Sequence, residues 1–225
     1  MTARYDGLSE EYEAFVDRIS QHYVAAEGAL RRLLGPGPGR CLDIGCGGGH
    51  LLRVPVELGW AVVGVDLSKD QLERAAARYR EVELAHADAS ALPFEDGAFD
   101  AAYSSFTHTD FDEFAAAVGE AKRVIRPGGR FVYIGNHPCF VGPTQDYTET
   151  GIPLLHPGYR RAGRWQSSDA PGVSPDGWRA RLGSFVHLPL ADLLCCFAGL
   201  TLVAAEEPAD GYEYPKTLAL AFTTP

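Results

Sequence analysis

The sequence predicts a doubly wound α/β fold, one sheet of seven strands with helices on both faces and its last strand antiparallel. Three observations carry this. Short runs rich in Val, Ile and Ala recur between helix-forming stretches, as they do when parallel strands are joined by helical crossovers. The first run enters a loop of four glycines within "DIGCGGG". The last two runs lie too close together for a helical crossover, so one of them runs antiparallel.

Residues 9–34 place Tyr12, Phe15, Val16, Ile19 and Tyr23 at three- and four-residue steps, which predicts a helical cap over 1–35 closed by "GPGPG". Strands are expected at "RCLDIG" 40–45, "AVVGVDL" 61–67, "VELAHAD" 82–88, "AFDAAYSS" 98–105 and "RFVYIG" 130–135. Helices fall between them at 48–58, 69–79 and 111–125. Pro55 lies inside the first of these and predicts a kink or an early end. Residues 136–187 break the rhythm, being rich in Pro and Gly and interleaved with Phe140, Tyr147, Tyr159, Trp165 and Trp178. A segment of that length predicts a lid insertion whose rings face a flat ligand. A helix over 189–200, closed by Gly199, then leads to strands at 200–208 and 216–224. The chain reads as one domain over 1–225.

Composition excludes several classes of function. Twenty Lys and Arg stand against thirty Asp and Glu, a formal charge of −10, which opposes a phosphate backbone or an anionic membrane surface. No nucleic acid and no membrane partner is expected. There is no apolar run of about eighteen residues, and the first residues lack the basic and then apolar run of a signal peptide. A soluble, cytoplasmic protein is therefore expected. The five cysteines, at 41, 46, 139, 195 and 196, have no C-x-x-C spacing and suggest neither a disulfide framework nor a metal site. Oligomeric state does not follow from the sequence.

The glycine loop narrows the ligand. A phosphate-binding loop needs a Gly-Lys-Ser/Thr ending, and here the loop ends "GGGH". A dinucleotide fingerprint begun at Gly45 meets His50 at its sixth position, where glycine or alanine belongs. The remaining pattern is an acid followed by alternate glycines: Asp43, Gly45, Gly47 and Gly49. An acid there repels a pyrophosphate and suits a cationic, phosphate-free nucleoside. Asp66 ends the second strand, where a carboxylate grips ribose hydroxyls. Asp88 ends the third, where one can accept the amino hydrogens of adenine. Each acid alone reads equally as a strand-end turn; together they outline one crevice.

In this order, "LDIGCGGG", "VVGVDLS", "HADASALPF", "FDAAYSSFTH" and "VIRPGGRFVYIG" resemble the motifs of the class I S-adenosylmethionine-dependent methyltransferases, small-molecule type. The likeness covers residues 40–135 and implies a Rossmann-like fold with S-adenosylmethionine as cofactor. It implies that Gly45, Cys46 and Gly47 pass under the methionine portion, that Asp66 and Leu67 hold the ribose, and that Asp88 and Ala89 hold the adenine. It further implies that Ser104 or Ser105 forms the substrate-side wall, and that Tyr5 or Tyr12 closes over the cofactor.

Methyl transfer needs a nucleophile set in line with the methyl carbon and water kept out. An oxygen or nitrogen acceptor that carries a proton also needs a base, for which histidine is suited. His108, then His187 and His137, then His156 are the candidates, with Asp110 able either to orient His108 or to cap the next helix. The acceptor is expected to be a small, partly aromatic molecule methylated at oxygen, nitrogen or an activated carbon. A cofactor-bound cyclase without methyl transfer and a nonenzymatic cofactor-binding protein are the alternatives.

Overall fold

The computed structural model describes residues 3–225. The N-terminal helical stretch forms two helices, α1 (Ser9–Arg18) and α2 (Ser20–Leu34), where one was expected. The break at Ile19 falls where the apolar surface changes partner. α1 carries Tyr12 and Phe15 to the ring of Trp178, at centroid distances of 5.3 and 5.9 Å. α2 instead buries Ala26, Ala29, Leu30 and Leu33 against sheet residues such as Tyr103, Val132 and Ile134. A straight helix presents one apolar stripe, so two partners in different directions need two axes.

Strands and helices then alternate: β1 (Arg40–Ile44), α3 (Arg53–Glu57), β2 (Ala61–Asp66), α4 (Lys69–Arg78), β3 (Glu83–His86), β4 (Phe99–Ser105), α5 (Phe114–Val124) and β5 (Ile125–Asn136). α3 is shorter than the expected 48–58 because glycines precede it and Pro55 would crowd the carbonyl four residues upstream. Pro55 sits in the first turn, where a missing N–H costs no intrahelical bond. At the start of α4 the Ser68 hydroxyl accepts from the Gln71 N–H at 3.3 Å, a side-chain cap.

The chain continues through β6 (Gln145–Tyr147), β7 (Pro153–Leu155), β8 (Gly163–Gln166), α6 (Trp178–Leu182), β9 (Ser184–His187), α7 (Leu190–Cys195), β10 (Thr201–Glu206) and β11 (Thr217–Thr223). Seven strands form one sheet in the order β3-β2-β1-β4-β5-β11-β10. β11 runs against both of its neighbours, so the last strand is the antiparallel one and β10 is the outer edge. Side chains of β5 alternate between the two faces. Phe131 and Tyr133 enter the core beside α5 and α7, and Val132 and Ile134 enter the core beneath α2. The winding reverses at β1, which pairs with β2 on one side and β4 on the other. That switch point opens a crevice at the strands' carboxyl ends.

Residues 136–187 contain two antiparallel strand pairs, β6 with β7 and β8 with β9, together with α6. The rings expected to face a ligand pack within the protein. Trp165 and Phe185 share a small satellite core with Ala170, and the Trp165 indole N–H donates to the Arg161 carbonyl at 2.9 Å. The Tyr147 hydroxyl donates to the Phe140 carbonyl at 2.6 Å, and that of Tyr159 accepts from the Leu190 N–H at 2.8 Å. Each polar tip finds a backbone partner, which fixes its ring in packing.

Candidate active site

The turn after β1 is built for close approach. Gly45 and Gly47 adopt φ of 78° and 51°, in the left-handed region that favours glycine. The Gly45 and Cys46 N–H groups both donate to the Val65 carbonyl at 2.9 Å, which presses the loop against the tip of β2. Asp66 stands at that tip. One of its oxygens accepts from the Gly47 N–H and the other from the Ser68 N–H, each at 2.8 Å. Burial raises its pKa despite these bonds.

A cavity of about 490 Å³ lies above the loop. Its wall includes Gly45, Gly47, Asp66, Leu67, Asp88 and Ala89, with Ser105, Phe106 and Thr107 following β4. Arg4, Tyr5 and Tyr12 close it from the N-terminal side. The Tyr12 hydroxyl lies 2.9 Å from that of Tyr23, and burial pushes its pKa up to about 12. Asp88 also accepts from the Ser90 N–H and hydroxyl at 2.8 and 2.7 Å, so this acid shapes a strand-end turn as well as lining the cavity.

Three other expected contacts lie behind the wall. Cys46 turns its thiol into the core beside Leu52, Val62 and Ala75. The Ser104 hydroxyl donates to the Ile44 carbonyl at 2.8 Å and lies 2.6 Å from that of Thr107, which ties β4 to β1, while Ser105 takes the place in the wall. Asp43 is 1% exposed, accepts from the Tyr103 hydroxyl at 2.7 Å and has no partner for Oδ1.

Burial pushes the Asp43 pKa up to about 7, against the Tyr103 hydrogen bond and with the help of the Asp66 charge. The folded protein thus holds this proton more tightly than the unfolded chain, so Asp43 withdraws stability as pH rises from about 4 to 7. Asp43→Asn is expected to gain on the wild type progressively across that window in urea unfolding. A constant difference between the two proteins would refute the shift.

The histidines expected as bases do not reach the cavity, and neither does His156. His108 is 2% exposed with Nδ1 2.8 Å from the Tyr133 hydroxyl, and burial pushes its pKa down to about 3. His187 Nε2 donates to the Tyr159 carbonyl at 2.8 Å. His137 has Nε2 3.1 Å from Glu207, and its Nδ1 accepts from the Cys139 N–H. Burial lowers the pKa of both. A neutral imidazole bonded inside the protein is a structural group.

Asp110 does not orient His108. It lines the cavity and accepts from Arg179 of α6 at 3.0 Å, while the other end of that guanidinium donates to the Thr109 hydroxyl at 2.6 Å. Arg4 donates to the backbone carbonyls of Asp110 and Ser184. The N-terminal segment and the lid thus meet at Asp110. The Ser68 hydroxyl reinforces this closure by donating to Asp6 at 2.7 Å. No sequence pattern pointed to Arg4, Phe106 or Arg179, whose roles come from contacts between distant segments. Phe106 is a non-glycine residue at φ 58°, a strained conformation held by the bond of its N–H to the Ile134 carbonyl at 2.7 Å.

The wall is acidic. Asp66, Asp88, Asp110, Asp112 and Glu113 line it, and Arg4 is its single cationic residue among the described residues. Arg179 and Arg164 pair with Asp110 and Asp112, whereas Asp66, Asp88 and Glu113 belong to no ion pair among the described residues. Such a wall attracts a cationic ligand and repels a pyrophosphate.

A sheet of this order, with a glycine loop and two strand-tip acids around an acidic cavity, is a doubly wound fold with its crevice at the switch point. The profile of the methyltransferase domain family matches residues 42–133. A demethylmenaquinone methyltransferase of Thermus thermophilus is 43% identical over 103 residues, which is 43% of this chain and 47% of that protein. One from Renibacterium salmoninarum is 33% identical over 156 residues, 66% of this chain and 64% of that protein. The matches thus span less than two thirds of these relatives. An S-adenosylmethionine dependent methyltransferase structure from Mesorhizobium loti is similar with a TM-score of 0.69 at 24% identity, over 88% of this chain and 95% of that one. Residues 42–133 are thus similar to a methyltransferase domain, and the fold is that of the solved methyltransferase structure.

Proposed function

We propose that this chain transfers a methyl group from S-adenosylmethionine to a small molecule with an aromatic or quinone-like ring. The observation that carries the reading is the acidic wall above a glycine loop, without lysine among the described residues, which suits a cationic nucleoside without phosphate. When bound, S-adenosylmethionine supplies a methyl made electrophilic by its sulfonium. Asp66, with its oxygens aimed by two backbone N–H groups, would take the ribose hydroxyls beside Leu67. Asp88 and Ala89 would take the adenine. Gly45 and Gly47 leave room for the methionine chain.

Tyr5, Tyr12 and Phe106 add aromatic surface to the same wall. No histidine, lysine or cysteine lines the cavity among the described residues, so carboxylates are the bases it offers and the acceptor must carry an activated nucleophile of its own. A ring carbon made electron-rich by a neighbouring hydroxyl meets that requirement, which fits the names of the curated relatives. Asp110, which lines the cavity and is held by Arg179, would accept the hydroxyl proton. The formal charge of −10 speaks against a nucleic-acid acceptor. No helix among the described residues is long and apolar enough to cross a membrane.

Mass spectrometry after incubation with S-adenosylmethionine and a demethylated naphthoquinol tests the reading. The expected result is a gain of one CH₂ on the quinol with an equal amount of S-adenosylhomocysteine. An unchanged quinol would refute this acceptor class, and a ring-closed product of unchanged mass from another acceptor would favour a cyclase.

A further inference from the structure

The outer strand of the lid's first hairpin is apolar and open to solvent. β6 and β7 form a two-stranded sheet, and at β7 Ile152, Leu154 and Leu155 stand 55, 44 and 73% exposed within four residues. They are three of the eight large apolar side chains exposed among the described residues. Successive strand residues point to opposite faces, so a strand resting on the body would bury one set, yet Leu154 and Leu155 both reach solvent. Such a cluster marks a contact that the chain does not make with itself.

The chemistry of the cluster narrows the partner. Strand addition by a second copy is disfavoured, because β7 is three residues long and begins at Pro153, which has no N–H to offer. A protein groove is expected to meet aromatic anchors, and leucine is under-represented among the residues that dominate such contacts. The exposed cluster here is wholly aliphatic. It suits acyl chains.

Two arginines stand at the leucine end of the hairpin. The His156 N–H donates to the Thr144 carbonyl at 2.8 Å, which carries the pairing one residue past Leu155, and the Arg161 N–H donates to the Gly158 carbonyl at 2.8 Å in the turn that follows. A Cβ on Gly158 would stand 3.3 Å from Thr144 Cγ2, so that turn lies against the start of β6. Arg160 and Arg161 are exposed and belong to no ion pair among the described residues. Asp146, across from Leu154, and Glu149, in the turn at the far end, are the acids of the hairpin. The patch is thus near charge balance in a chain of formal charge −10. That charge opposes a membrane only over the reach of its field, about 8 Å at physiological salt.

We propose that the Leu154–Leu155 end of this hairpin docks on a phospholipid surface, its aliphatic side chains entering the acyl boundary while Arg160 and Arg161 meet the phosphates. A guanidinium fork matches phosphate oxygens, and apolar insertion beside basic residues is how interfacial segments gain a reversible hold. The lid that holds Asp110 through Arg179 would then lie at the lipid, where an apolar acceptor concentrates. The docking itself does not depend on the cofactor reading.

Flotation of the full chain with vesicles of phosphatidylcholine and phosphatidylglycerol, at about 0.15 M salt, tests this. The wild type is expected to float with the vesicles. Leu154→Gln/Leu155→Gln should lower the partition coefficient by about tenfold or more, the scale of withdrawing two leucine side chains from an apolar phase. Arg160→Gln should lower it by about fivefold, the scale of one basic residue at an anionic surface. Both variants are expected to keep the wild-type urea midpoint, because the altered side chains are exposed. A wild type that stays in the lipid-free fraction would overturn the proposal, and so would variants that float as well as it does. Sedimentation velocity without lipid is expected to show no association that depends on the two leucines. A wild-type dimer abolished by the leucine variant would show that a second copy covers β7, and would overturn the proposal too.

Discussion

Asp66→Ala is expected to weaken S-adenosylhomocysteine binding by about 1.5–3 kcal/mol, roughly ten- to a hundredfold, the range for hydrogen bonds to a charged group. Two effects add in this variant. The ribose would lose the acceptor proposed for it, and the N–H groups of Gly47 and Ser68 lose their partner. Because burial raises the Asp66 pKa, wild-type affinity should also fall as the acid is protonated on lowering the pH, and the variant should lack that dependence. Titration calorimetry at two pH values checks both points. An affinity unchanged by the mutation would remove Asp66 from the site.

Gly45→Ala is expected to cost about 2–4 kcal/mol of stability, from left-handed strain together with overpacking. At φ 78°, a Cβ on this residue would stand 2.6 Å from Thr107 Cγ2 and 2.9 Å from Phe111 Cζ. Both neighbours line the cavity, so relief of the clash drives them into the ligand's space. Cofactor binding should be lost along with stability. Gly47→Ala is the control. Its φ is 51°, but the nearest atom to its Cβ is 3.9 Å away, so only backbone strain of about 1 kcal/mol is expected. Equal denaturation midpoints for the two variants would show that close approach at Gly45 is not what demands glycine there.

The sheet was legible because its signals are local. Apolar runs, glycine and proline breaks and the short gap before the last strand each act within a few residues, and they place all seven strands. Gly45, Gly47, Asp66 and Asp88 were legible for the same reason, since a strand tip and its loop reach the crevice together. The break at Ile19 had no such sign, because neither glycine nor proline marks it and the change of packing partner is tertiary. The histidines misled because facing in a loop is decided by contacts far along the chain. After the left-handed turn at Phe106, Thr107 and Asp110 face the cavity and His108 faces Tyr133. The lid rings misled in a similar way. Composition does not distinguish a ligand wall from a satellite core, and it is the pairing of β8 with β9 that sets Trp165 beside Phe185.

Calorimetric titration of the wild type with S-adenosylmethionine and S-adenosylhomocysteine, each repeated in excess NAD and in excess ATP, tests the central claim most directly. The acidic cavity predicts that both sulfur nucleosides bind at one site per chain and that neither phosphate-bearing nucleotide displaces them. Displacement by NAD or ATP, or binding of either in place of the sulfur nucleosides, would contradict it.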